Sequence, residues 1–480
     1  MNKSYLFYDI ESTGLSPCFD QVLQFAAIRT DLELNELDRT EIRIKLNPDI
    51  IPAPMAMLTH LQSIEQMQQG LSEVEGIQQI HSLMNTPGTI SLGYNTLGFD
   101  DEFLRFSFYR NLLTPYTHQY ANQCSRMDLY PIILLYYLFK PNIIEWPTIN
   151  DRVSMKLENI NNVNQLASGM AHDAMIDVEV TVELAKKCFQ EQTMWQYCTG
   201  YFDKKIDSER LHQLKHLVSI NNQSHPLAYA CSGKIGAAQN FLTPVIGLGS
   251  HRTYKNQTLW LRLDQDDLLQ CDSEHLFERS FVIKRKPAEN IFILPYHERY
   301  HHLISQERQE QCQRSLNWCQ QNSTLFTKLQ QAHQQFTYPA VDNVDADAAL
   351  YQLPFASAQQ SQRMQQFHRQ AINEKMRLAE QLGSDTLYEL ALRLVAKHHP
   401  DALSTEQQQD FQDHLQRVYH HNGDIKDYKN QHKAHAGAVL TEIESLSEQD
   451  HWNAQQRQLL DELKQYILTQ QESLLNTSPP

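Results

Sequence analysis

The chain has 480 residues, of which 57 are acidic and 41 basic, for a formal charge of −16 at neutral pH. That length exceeds one typical hydrophobic core and divides naturally into two or three domains. The acidic balance excludes bulk electrostatic capture of nucleic acid, so any polynucleotide has to be held by a local basic groove and by stacking on some of the 21 tyrosines and 19 phenylalanines.

Met1 to Ser4 run directly into a strand pattern with no leader-type apolar stretch. The densest apolar run, Leu129 to Phe139, covers about half a membrane span and contains Pro131, which makes it a buried helix rather than a crossing one. Eight cysteines, at positions 18, 124, 188, 198, 231, 271, 312 and 319, show no CxxC pair and no metal spacing. They fit reduced thiols in a cytoplasmic protein.

In residues 1–190, strand candidates at 5–11, 22–30, 41–46 and 89–94 alternate with helical patterns at 63–84, 101–112, 127–139 and 173–190. Such alternation predicts an α/β sheet with helices packed against it. The first strand reads Tyr5-Leu6-Phe7-Tyr8-Asp9-Ile10-Glu11-Ser12-Thr13-Gly14. Strand side chains alternate faces, so Asp9 and Glu11 share one side, about 7 Å apart along the backbone. Two carboxylates at the end of a buried strand repel each other and lose hydration, a cost that a hard cation bound between them offsets. Alone, an Asp-x-Glu also suits a solvated strand edge or turn.

Leu92-Gly93-Tyr94-Asn95-Thr96-Leu97-Gly98-Phe99-Asp100-Asp101-Glu102 carries a β-prone run that breaks at Asn and Gly and restarts as a helix pattern. Asp100 falls at or just inside that helix start, as a ligand or simply as a cap. In Ala171-His172-Asp173-Ala174-Met175-Ile176-Asp177, Asp173 suits the N-cap, Asp177 lies one turn in, and His172 stands on the preceding loop. An imidazole there can meet Asp177 and move protons near neutral pH, although a histidine before a helix is commonly a surface residue.

From about 195 to 340 the texture changes. After a helical connector near 203–219, β-prone pieces at Leu227 to Cys231, Leu259 to Leu263 and Phe281 to Lys284 predict a small β-rich domain of barrel type. Ser232-Gly233-Lys234-Ile235-Gly236-Ala237 lacks the order of a P-loop. Lys284-Arg285-Lys286 is the clearest basic cluster, equally suited to a solvated turn or to contact with phosphate or an acidic peptide. Beyond a linker-like stretch, Tyr338 to Asp345, residues 348–475 are rich in Gln, His and Leu and carry amphipathic helix patterns such as Leu459, Leu460, Leu463, Tyr466 and Ile467.

Taken together, the three acidic segments resemble the DEDD exonuclease superfamily, in the subclass whose third motif is His-x4-Asp. Asp9 and Glu11 match the first motif, Asn95 with Phe99 and Asp100 the second, and His172 with Asp177 the third. The resemblance implies a ribonuclease H-like fold, two divalent ions held by Asp9, Glu11, Asp100 and Asp177, normally magnesium with manganese able to substitute, and His172 as general base. Thr13, Asn95 and Phe99 would then contact substrate. Paired cations about 3.5–4 Å apart can activate water and stabilise the leaving oxygen in phosphodiester hydrolysis.

The order of nuclease domain, small barrel and helical C-terminal domain is similar to the bacterial exonuclease I family. That narrower resemblance implies an SH3-like barrel at 195–340, a monomer, and processive 3′-to-5′ hydrolysis of single-stranded DNA to 5′-mononucleotides in repair and recombination. It also implies docking of the acidic C-terminal tail of single-stranded-DNA-binding protein, with Lys140 and Tyr197 in comparable segments. The motifs are shared with RNA 3′-end trimming and proofreading relatives, which are usually short; the roughly 290 further residues here favour exonuclease I. A non-catalytic nucleic-acid-binding scaffold is the remaining alternative.

Overall fold

The computed structural model describes residues 3–169, 173–420 and 424–477. Five strands form the first sheet: β1 (Ser4–Ser12), β2 (Val22–Thr30), β3 (Glu36–Arg43), β4 (Thr89–Leu92) and β5 (Ser125–Arg126). Their order is β3-β2-β1-β4-β5, with β1, β2 and β3 antiparallel and β4 and β5 parallel to β1. This is the α/β arrangement predicted, with β3 beginning earlier than expected.

Alternation along β1 sorts its side chains between two cores. Leu6, Tyr8 and Ile10 join a cluster with Ile77, Ile80, Phe103 and Leu104 from the helices Glu73–Met84 and Asp100–Arg110. Tyr5 and Phe7 point the other way, among Ile132, Ile133, Val178 and Val182 of the helices Leu129–Phe139 and Ala174–Phe189. Asp9 and Glu11 continue that second face, so the strand's own pleat carries both carboxylates toward the start of the Ala174–Phe189 helix.

The segment 203–219 is not a continuous helix. The helix Lys204–His212 ends, and His216–Ile220 pairs with Gln223–Cys231, because Leu217, Val218 and Ile220 suit a pleated, half-buried surface better than a helix. Four further strands, Leu242–Ser250, Thr258–Arg262, Val282–Arg285 and Phe292–Pro295, complete a six-stranded antiparallel sheet. Residues 306–335, inside the stretch expected to be β-rich, are two helices, Gln306–Gln321 and Ser323–Gln335. Their apolar positions Cys312, Cys319, Phe326 and Leu329 cover Leu248, Leu259 and Leu261 of the sheet.

The C-terminal helices share one large core with the α/β region. Leu460, Leu463 and Ile467 of the helix Ala454–Thr477 lie in the same cluster as Met57 and Leu58 of the short helix Pro54–His60. A buried ion pair stitches the same boundary, with Lys397 Nζ 2.8 Å from Asp49 Oδ2, while Arg393 pairs with Asp345 and Asp347 within the C-terminal part. All eight cysteines are buried and unpaired. Among the described residues, no helix is long and apolar enough to cross a membrane.

Candidate metal centre and groove

Asp9, Glu11 and Asp177 each offer a carboxylate oxygen, and these oxygens lie within 4.8 Å of one another. β1 supplies the first two by its pleat, and the Ala174–Phe189 helix supplies the third. That helix is capped as the sequence predicts: Asp173 accepts the amide of Met175 at 3.0 Å, which leaves Asp177 one turn in to face the strand. His172 lies outside the described residues.

Asp100 reaches the same place from the opposite side of the sheet. It opens the helix Asp100–Arg110, whose cap position is Phe99 and has no side-chain cap, so Asp100 is not a conventional capping residue. Its Oδ1 instead accepts the backbone amide of Ile10 at 3.2 Å, between Asp9 and Glu11. Only 5% of Asp100 is exposed, and 6% of Glu11.

Asp9 and Asp100 are shifted in the same direction. Burial, followed by the charges of Asp100, Glu11 and Asp177, pushes Asp9 well above the usual carboxylate range. Burial pushes Asp100 up to about 8, with Asp128 and Glu11 adding to it and the amide hydrogen bonds opposing it. An all-oxygen donor set whose members repel one another fits a hard divalent cation, whose charge would relieve the repulsion. A second grouping, Asp49, Asp347 and His414, has similar spacing and a different character. There burial would raise Asp49, but Lys397 and His414 outweigh it and hold the carboxyl well below the usual range. Side-chain cations already balance that cluster.

Two residues that the sequence did not single out brace the first cluster. His60, the last residue of the helix Pro54–His60, places Nδ1 2.8 Å from Glu11 Oε2. Asp128, fully buried, accepts the amides of Asn95 at 2.8 Å, Leu97 at 3.1 Å and Tyr130 at 2.9 Å. It thereby fixes the turn that leads into Asp100, where Asn95 adopts the left-handed φ of +66°. Burial raises Asp128 to about 7 despite those three amides. Its one legible signal is an Asp before the apolar run 129–139, a standard N-cap position. His60 has no such signal, because its partner is 49 residues away in sequence.

The remaining expected residues divide. Asn95 is exposed beside the cluster, and Phe99 is half-buried with its ring 4.8 Å from that of Phe103. Thr13 is fully buried, its hydroxyl donating to Asp20 at 2.9 Å and accepting the amide of Gln21, so its side chain is committed to its own loop. That loop carries Leu15, which is 83% exposed. Asp101 faces inward into an ion network with Arg105, His118 and Arg126. Lys140 pairs with Glu191 at 2.6 Å. The Tyr197 hydroxyl lies 3.0 Å from that of Tyr201, and the Arg210 guanidinium stacks 4.4 Å from both ring centroids.

A groove of about 1260 Å³ runs from Asn95 and Asp177 toward the six-stranded sheet, where Lys234, Lys284 and Lys286 line it. The basic triplet is split by strand alternation. Arg285 turns inward and is fully buried against the carboxylate of Asp207, whereas its two lysine neighbours serve the groove.

Comparison with known proteins agrees with this geometry. The exonuclease family matches residues 6–185, and the exonuclease I C-terminal domain matches residues 344–470. Exodeoxyribonuclease I of Escherichia coli (strain K12) is 34% identical over 293 residues, which cover 60% of each protein. The same enzyme of Buchnera aphidicola subsp. Acyrthosiphon pisum is 30% identical over 284 residues, covering 58% of this chain and 67% of the relative. The alignable sequence thus spans about 60% of the Escherichia coli protein's length. In three dimensions the likeness is longer: a crystal structure of Escherichia coli exonuclease I in complex with a dA16 oligonucleotide superposes with a TM-score of 0.84 at 25% identity, covering 98% of this chain and 100% of the other.

Proposed function

This chain belongs to the exodeoxyribonuclease I family, and we propose that it hydrolyses single-stranded DNA from the 3′ end, releasing 5′-mononucleotides. The observation that carries the reading is the convergence of Asp9, Glu11 and Asp177 within 4.8 Å at one end of a lysine-lined groove. These three carboxylates and Asp100 would hold two divalent cations, magnesium or manganese in its place. Such ions would supply an activated water and neutralise charge on the leaving 3′ oxygen.

The chain's own residues carry the rest. His60 orients Glu11, and the amide of Ile10 orients Asp100, so the ligand oxygens are set before substrate arrives. Asp128 holds the Asn95 turn at the groove wall, where the amide side chain can meet the terminal nucleotide. Thr13 secures the loop that presents Leu15, an apolar side chain for the terminal base. His172 takes the proton from the attacking water. Lys234 and Lys286 contact backbone phosphates, which lets an acidic protein bind an anionic polymer locally.

The accessory elements fit the same reading. The six-stranded sheet corresponds to an SH3-like domain within 195–340, and the helical domain within 348–475 closes the strand path to give processivity. Lys140, Tyr197 and Arg210 offer a cationic and aromatic surface for the acidic tail of single-stranded-DNA-binding protein. The protein acts as a cytoplasmic monomer in DNA repair and recombination.

The test is a time course on matched DNA and RNA oligonucleotides labelled at either end, with magnesium and an unlabelled trap. Stepwise shortening of DNA from its 3′ end is expected. Preferential loss of RNA would transfer the assignment to an RNA-trimming enzyme, and no magnesium-dependent product from either would leave only a binding scaffold.

A further inference from the structure

An exposed aromatic patch lies next to the groove on the six-stranded sheet. Tyr254 occupies the loop between the strands Leu242–Ser250 and Thr258–Arg262, while Phe336 and Tyr338 follow the helix Ser323–Gln335. Tyr338 is 62% exposed and Tyr254 36%. Their ring centroids stand 6.1 Å apart, and Phe336 lies 5.2 Å from Tyr338. Large aromatics left this open in a folded chain cost hydration unless something covers them.

Two observations say what covers them. Lys284 Nζ sits 4.1 Å from the Phe336 ring centroid and 4.9 Å from that of Tyr338, and the same lysine lines the groove that contains Asp177. The patch is therefore continuous with the groove and carries a cation at the junction. It is also rigidly held. Buried His251 accepts the amides of Thr253 and Tyr254 on Nδ1, both at 3.1 Å, and its Nε2 donates to the Phe336 carbonyl at 2.7 Å. One imidazole thus ties both aromatic segments together in a fixed relation.

We propose that Tyr254, Phe336 and Tyr338, with Lys284, form a stacking platform for bases of the single strand that trails 5′ of the nucleotides in the catalytic groove. The proposal rests on the single-stranded-DNA reading above. Every base offers a face to stack, so the platform grips without sequence preference, while Lys284 meets the phosphate that links groove to platform. Short strands end before reaching it.

The full chain and its Tyr254→Ala/Tyr338→Ala variant are compared by fluorescence anisotropy on dye-labelled oligothymidylates from about 4 to about 16 nucleotides and longer, the span of single-strand binding surfaces. EDTA is present, so the readout is binding without hydrolysis. In the wild type, affinity should climb again once the strand is long enough to reach the patch. The variant should lose that second rise, weakening long-strand binding by about tenfold or more, and Tyr338→Trp alone should retain it. Identical length dependence in wild type and variant overturns the platform. A failed exonuclease reading would show separately, as wild-type protein that binds these strands and leaves them intact with magnesium.

Discussion

His60 Nδ1 stands 2.8 Å from Glu11 Oε2, a contact that links a short helix braced by the C-terminal helices to a carboxylate of the proposed metal centre. A ligand carboxylate held this way keeps its orientation whether or not a cation is bound. His60→Ala is expected to lower turnover or magnesium affinity by about tenfold to a hundredfold, the usual scale for a residue that orients a metal ligand. A magnesium titration of activity checks it; an unchanged half-saturation concentration and turnover would remove His60 from the site.

Asp9→Ala and Asp177→Ala should each abolish magnesium-dependent release of mononucleotides while single-strand affinity in EDTA largely survives. On the proposed reading, the lysines that line the groove, rather than the carboxylates, would attract the phosphates. Turnover at the wild-type rate in either variant would refute the ligand assignment.

For His172→Ala a loss of about 10² to 10⁴ in rate is expected, the contribution typical of a general base. The acid limb of the pH–rate profile should change with it. A profile of unchanged shape would assign the proton transfer elsewhere.

Asp100 gives a pH dependence of defined sign. An unfolded aspartate ionises near 3.9, whereas in the fold burial raises Asp100 to about 8. The folded state therefore holds the proton more tightly, so this group's contribution to stability is full below about pH 4 and is lost as pH rises through about 8. Thermal melts in EDTA should show a Tm that falls across that window. Asp100→Asn, whose side-chain oxygen can still accept the Ile10 amide, should flatten the fall, and magnesium should restore stability to the wild type at the alkaline end. A wild-type Tm that is unaffected by magnesium at that end would contradict the cluster's assignment.

Asp128→Ala removes from a buried position the carboxylate that accepts three backbone amides. A stability loss of about 1–3 kcal/mol is expected, together with a raised KM on single-stranded DNA as the Asn95 turn loosens. Denaturant unfolding and steady-state kinetics together check it, since a loss of stability with KM unchanged would separate this residue from the groove.

Much of the centre was legible in the linear chain, because two local periodicities wrote it there. The two-residue repeat of β1 places Asp9 and Glu11 on one face with Tyr5 and Phe7. The helical repeat after the Asp173 cap sets Asp177 one turn in. The residues missed or misread are those whose partners are distant in sequence. His60 meets Glu11, 49 positions away. Arg285, read as one member of a basic cluster, is buried on Asp207.

The sequence by itself determined which side chains face the same way within each element, since a strand's pleat and a helix's turn are properties of neighbouring residues. Tertiary structure alone decided which faces meet. It turned residues 306–335 into helices over a sheet, brought Asp100 across β1 to the opposite carboxylates, and aligned Lys284 with both groove and aromatic patch. Those outcomes depend on burying apolar surface between segments far apart in the chain, a free energy that no short window of sequence contains.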